Sequence, residues 1–224
     1  MATPVNGTID IVGPQVATVT TGAIYWGADH GQLATNPIIP VTGSGTGDFT
    51  NVTSAFFRNL VNPAGFPVTG PVNIPDFAEF TTPAGTIRVD LTNVPAGVGG
   101  PCTATSVTCS PTFTMGGTTF LSPFTLTQST PTTVSVGITL DGIAYFPPPS
   151  SGVSQLVDIE TTQVANGTIA EILSAVESSA GFSHSYSGSL AATPPSPVPE
   201  PGSMLLMGMG LLGAGAVARK RVRG

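Results

Sequence analysis

Residues 86–94 read TIRVDLTNV. Ile87, Val89 and Leu91 alternate with Arg88, Asp90 and Thr92, so one face is apolar and the other polar. Period two is the signature of a half-buried strand. VSVGITL, residues 134–140, repeats the pattern with Val134, Val136, Ile138 and Leu140. IDIV (9–12), VATVT (16–20) and VSQLVDI (153–159) are shorter candidates. Between them lie GSGTG, NPAGFP and VPAGVGGP, clusters that punctuate strands with turns. With 28 Gly, 22 Pro and only 8% charged residues, coiled coils and long helical bundles are excluded. The expected body is mainly β, a β-sandwich or jelly-roll-like domain of antiparallel strands.

One helix interrupts the strands. TIAEILSAVESS places Ile169, Ile172, Leu173 and Val176 on one helical face. Thr168 and Glu171 form a capping box, and Gly181 follows the end. FSHSYSGSL then reads as a last strand, with Phe182, His184, Tyr186 and Gly188 on one side and mostly serines on the other. No repeat of fixed period is present, which argues against solenoids and propellers.

Charge divides the chain. Arg219, Lys220, Arg221 and Arg223 are four of its six basic residues. Residues 1–201 hold only Arg58 and Arg88 against all twelve acids, a net −10. Such a body lacks the electrostatic footprint of nucleic-acid binding. Cys102 and Cys109 enclose six residues flanked by turn formers, and a small disulfide loop suits an oxidising compartment. No further Cys pair or nearby His completes a metal set. MATPVNGTIDIVG shows no basic region followed by an apolar one. An N-terminal signal peptide is therefore not visible, and the expectation is a leader already removed or encoded upstream.

The C-terminal residues carry the most specific signal. AATPPSPVP is a Pro-rich spacer, expected to be extended. Pro199 and Pro201 bracket Glu200 and disfavour helix there. Residues 202–218, GSMLLMGMGLLGAGAVA, are uncharged and just long enough to span a bilayer as a helix. The basic cluster behind them would stay cytoplasmic and leave the body outside. Gly208, Gly210 and Gly213 also fit a dinucleotide-binding pattern, but neither a preceding strand nor a following acid supports it.

Val198, Pro199, Glu200 and Pro201, the apolar run and the basic cluster Arg219–Arg223 stand in an order that resembles the PEP-CTERM sorting signal of Gram-negative bacteria. The same module is known as the ice-binding protein C-terminal domain. The resemblance implies exosortase as partner, an integral-membrane, transpeptidase-like cysteine protease. It also implies cleavage near Pro-Glu-Pro and delivery from an inner-membrane-anchored precursor to the cell surface, often beside exopolysaccharide. The domain plan is then a β-rich body at 1–190, a linker at 191–197 and a sorting tail at 198–224.

For the body itself, AIYWGADHG is the densest polar–aromatic stretch. Tyr25 and Trp26 would offer a sugar platform, with Asp29 and His30 supplying hydrogen bonds. The alternative is a core Trp26 followed by an Asp29-His30-Gly31 turn. Hydrolysis by a Ser-His-acid set would need His30 or His184, and neither G-x-S-x-G nor H-E-x-x-H is present. Asp76 and Glu79 in IPDFAEF read as solvated loop acids, and Asp48 and Asn51 match no calcium loop. No catalytic residue, metal or cofactor is expected. The reading is an exported, non-catalytic surface or matrix protein, with a carbohydrate-binding module as alternative. Ice binding is weaker because no even T-x-T ladder appears, and a secreted hydrolase is weakest.

Overall fold

The computed structural model describes residues 4–20, 23–27, 35–61, 69–103, 105–115, 117–148, 154–177 and 181–195. The chain divides into two units, Met1–Pro194 and Pro195–Gly224, and all the elements below lie in the first.

The stretch at 86–94 behaves as its alternation requires. It belongs to β7 (Gly85–Val94), with Ile87, Val89 and Leu91 fully buried. β7 pairs antiparallel with β6 (Gly70–Thr82) through a two-residue turn at Pro83 and Ala84. Thr82 fastens that turn. Its hydroxyl donates to the Gly85 carbonyl at 2.8 Å and accepts from the Ala84 N–H at 3.2 Å. Residues 134–138 lie in β12 (Thr133–Ile138), with Val134, Val136 and Ile138 buried. Leu140 is equally buried but lies beyond the strand end, in the short link to β13 (Asp141–Tyr145).

Three long strands organise the rest: β1 (Gly7–Val19), β14 (Ser154–Asn166) and β15 (Phe182–Thr193). β15 pairs with β1 on one side and β14 on the other. From the first half of β1, pairing continues through β3 (Thr35–Pro40), β4 (Ser54–Arg58), β6, β7 and β13 to the start of β14. The hydrogen bonding thus returns to β15 and closes. The second half of β1 carries β2 (Ala23–Trp26) and β5 (Leu60–Val61). The second half of β14 carries β12, β11 (Phe124–Thr130) and β8 (Thr108–Cys109). A hairpin of β9 (Thr112–Met115) and β10 (Thr118–Leu121) pairs only with itself among the described residues. The body is mainly antiparallel β with one short helix. Among the described residues, thirteen of the fifteen strands form one sheet whose pairing closes on itself, and the β9–β10 hairpin stands apart from it.

IDIV and VATVT, which read as two strands, are one. The register of β1 against β15 shifts between Val12 and Val16, where Gly13 and Pro14 stand. An irregularity is the usual place for proline and glycine inside a strand. Gly13 is also required by packing, because an added Cβ would lie 2.1 Å from Cε1 of Tyr186.

The helix α1 (Ile169–Glu177) forms as its sequence predicts. The Thr168 N–H donates to Oε2 of Glu171 at 2.7 Å, and the Glu171 N–H donates to the Thr168 hydroxyl at 3.3 Å. Ile169 and Ile172 are buried, and Leu173 and Val176 pack against the core. Gln128 of β11 adds a tie the sequence did not announce. Its Oε1 accepts from the Ile169 N–H at 3.1 Å, while Nε2 donates to the carbonyls of Thr130 and Thr133.

Cys102 and Cys109 form the expected disulfide, with Cα atoms 4.8 Å apart. The loop is short, so its contribution is about 2 kcal/mol. β15 corrects the placed boundary: it runs past residue 190 to Thr193, with Leu190 and Ala192 buried. Among the described residues no helix is long and apolar enough to cross a membrane, and the segment 202–218 lies outside them.

The closing strand generates a prediction. A chain ending at Pro194 should unfold in one cooperative thermal transition, whereas one ending at Gly181 lacks β15 and should show none. Circular dichroism melts of both check this, and a cooperative melt of the shorter chain would contradict it.

Candidate functional site

Sequence reasoning placed its candidate platform at Tyr25 and Trp26. The structure puts Trp26 in the core at 2% exposure. Its ring lies between Phe57 (centroids 5.5 Å apart) and Tyr186 (5.2 Å), and its backbone N–H donates to Oδ1 of Asn59. Trp26 thus takes the core position named as the alternative to a sugar platform: the alternation of β2 sends the indole inward, where it packs against other rings. Tyr25 is half-buried, and Asp29 and His30 lie outside the described residues. Nε1 of Trp26 and the hydroxyl of Tyr186 are buried with no hydrogen-bond partner among the described residues. Burial raises the Tyr186 hydroxyl well above its ordinary value.

His184 and Asp48 make local contacts. His184 is half-buried, its ring parallel to Phe182, and it shares a hydrogen bond with the Ser185 hydroxyl. Asp48 accepts from the Asn6 N–H at 2.8 Å, fastening the start of the chain to the loop before β4. No group of three or more His, Cys, Asp or Glu that would hold a metal occurs among the described residues.

A different constellation emerges on the outward face of β4, β6, β7 and β13. Phe56 stands opposite Glu79, Glu79 opposite Arg88, and Arg88 opposite Tyr145. Aromatic, acid, base and aromatic thus form one row across four strands. Beside it lie Arg58, Asp76 and Asp90, so both basic residues of the body meet here. Sequence reasoning assigned Asp76 and Glu79 to a solvated loop. They belong to β6, and register brings them to Arg58 and Arg88 from 18 and 9 or more positions away. The one sequence signal was the presence of only two basic residues in so acidic a body, one of them in the polar face of β7.

Asp76 is the pivot. The pairing of β6 with β7 slips between Ile74 and Ala78, and Asp76 has φ 51°, in the left-handed region unfavourable to most side chains. Its surroundings hold it there. The Asp76 N–H donates to Oδ1 of Asp90 at 2.8 Å. Its carboxylate accepts from Nη1 of Arg88 at 2.9 Å and lies 3.8 Å from Nη2 of Arg58. The slip also turns both Phe77 and Ala78 inward, and Phe77 stacks on Phe57 at 5.3 Å. Glu79 Oε2 stands 4.0 Å from Nε of Arg88.

Tyr145 completes the group by donating to both oxygens of Asp90, at 3.1 and 3.2 Å. Burial first, and then the hydrogen bond and charge of Asp90, push its hydroxyl from the ordinary 10 up to about 12. It is a neutral donor at any physiological pH. Between β4 and β6 the row borders a cleft of about 190 Å³, lined by Phe56, Phe57, Arg58, Asp76, Phe77 and Glu79. The apolar depression beneath α1 is far smaller, about 30 Å³. The cleft offers a guanidinium donor, two carboxylate acceptors and an aromatic side chain within one small space.

The sorting residues Val198, Pro199, Glu200 and Pro201 and the basic residues Arg219, Lys220, Arg221 and Arg223 lie outside the described residues. Comparison with family models finds the PEP-CTERM protein-sorting motif at residues 197–221. The match covers the tail and leaves the body unassigned. Neither the comparison with curated proteins nor that with solved structures returns a match. The motif points to an exported protein whose processing partner is exosortase.

Tyr145 supplies a prediction with a definite sign. Its folded pKa lies above the unfolded value, so its stabilisation is complete below pH 10 and disappears as pH rises toward about 12. Wild-type urea midpoints should fall across that window, with Tyr186 adding to the slope. Tyr145→Phe should lose roughly 2 kcal/mol at neutral pH and show a shallower decline above pH 10. Equal slopes in both proteins would contradict the assignment.

Proposed function

We propose that the chain is an exported precursor, held at the inner membrane by residues 202–218 until exosortase acts near Pro199-Glu200-Pro201. The β body then reaches the cell surface or extracellular matrix and serves there without catalysis, in association with exopolysaccharide. The match of residues 197–221 to the sorting motif carries this reading. The physical parts fit their roles. Two prolines in the motif disfavour a helix there. The apolar run is short and glycine-rich, enough for a temporary anchor. Four basic side chains behind it resist passage through the bilayer by a few kcal/mol each, about 2.5–3.5 on insertion scales.

A carbohydrate-binding module of the matrix is the second reading. One observation favours it: the charged groups beside Phe56 and their cleft, which take the place first assigned to Tyr25 and Trp26.

The sorting role predicts a separation of two properties. Replacing Pro199, Glu200 and Pro201 together by Ala should leave membrane insertion intact and abolish release. Blotting an N-terminal tag in cell-bound and released fractions of a host with exosortase measures it. Release equal to wild type would reduce the tail to a plain anchor.

A further inference from the structure

We propose that the cleft between β4 and β6 holds one ring of a neutral hexose polymer. Phe56 lies against the apolar face of the sugar, Arg58 donates to its hydroxyls, and Asp76 and Glu79 accept from them. The surface-matrix reading above supplies the reason such a polymer is at hand; the cleft supplies the chemistry.

Arg58 is the first support. Its side chain is 36% exposed on the outward side of β4, and its ion-pair contact with Asp76 is 3.8 Å, beyond hydrogen-bond length. A guanidinium offers five donors in a fixed fork, so most remain for a ligand. Glu79, at 39% exposure, touches Arg88 only at 4.0 Å and keeps acceptor capacity toward the cleft. Asp76 cannot swing away, because its backbone is held by Asp90 and its carboxylate by Arg88. Adjacent sugar hydroxyls are both donors and acceptors, and a fixed carboxylate beside a guanidinium meets both needs. Half-buried Phe56, which lines the cleft, supplies the apolar surface a pyranose ring stacks on.

Charge decides between polymer classes. The cluster holds Asp76, Glu79 and Asp90 against two guanidiniums, in a body whose two basic and eleven acidic residues leave a net −9. An anionic polymer is repelled, whereas a neutral one is not. The larger trough of about 480 Å³ beside Val98, Thr125 and Ser135 is lined by no charged or aromatic side chain, so nothing there fixes a ring.

The test uses the full chain in a zwitterionic detergent without sugar. The probes are neutral gluco-, galacto- and manno-oligosaccharides and a uronic-acid oligosaccharide, read by calorimetry. Wild type should bind at least one neutral series and not the uronate. Phe56→Ala, Arg58→Ala and Glu79→Gln should each weaken binding about tenfold, one charge-assisted hydrogen bond or stacking contact. Ser135→Ala in the larger trough should leave it unchanged. Thermal melts matching wild type establish that the variants are folded, and Glu79→Gln preserves shape. Absence of binding to every neutral probe, preference for the uronate, or equal binding by Phe56→Ala, Arg58→Ala and Glu79→Gln would overturn the proposal. These outcomes are independent of the release assay, so a failed cleft and a failed sorting signal are told apart.

Discussion

β15 holds the body together by pairing with β1 on one side and β14 on the other. These ladders join the first and last of the described strands, and with them the sheet closes. A sheet with unpaired long edges invites other strands, and closure removes that liability around most of the circuit. Closure also encloses the aromatic core. Trp26 of β2 packs against Phe57 of β4 and Tyr186 of β15, and Phe57 stacks on Phe77 of the neighbouring β6. Gly13 is part of the same constraint, since the ring of Tyr186 occupies the space of a side chain there.

Neighbouring registers within the circuit place the charged cluster. Its row depends on the registers of β4 against β6, β6 against β7 and β7 against β13. The slip at Asp76 is what lets Arg58 and Arg88 reach one carboxylate. Partly exposed ion pairs of this kind stabilise by at most about 1 kcal/mol each. The cluster is therefore better understood as preorganised surface than as a fastening of the fold, and the backbone strain at Asp76 agrees with that.

Much of this was legible in the sequence where the physics is local. Alternation in TIRVDLTNV and VSVGITL marks two core strands because side-chain period and burial coincide. The capping box of Thr168 and Glu171 marks the helix because its hydrogen bonds span three residues. The spacing of Cys102 and Cys109 suits the disulfide found. Legibility fails where the fold is non-local. IDIV and VATVT read as separate strand candidates, yet tertiary pairing keeps β1 continuous across Gly13-Pro14. Trp26 beside Asp29 and His30 reads either as a sugar platform or as a core residue, and the packing against Phe57 of β4 and Tyr186 of β15 decides for the core. No spacing rule connects Arg58, Asp76, Arg88 and Tyr145, since register alone assembles them. The tail shows the opposite balance: its order of motif, apolar run and basic cluster is legible entirely in sequence, and the family match rests on it.

The central claim is that the tail is removed while the body travels on. Intact-mass spectrometry of the protein recovered from the cell surface, with sequencing of its C-terminal peptide, tests it most directly. The account predicts a C-terminus near Pro199-Glu200-Pro201, loss of the apolar run and of Arg219 through Arg223, and an oxidised Cys102–Cys109 pair. A surface protein that still ends at Gly224 would contradict it.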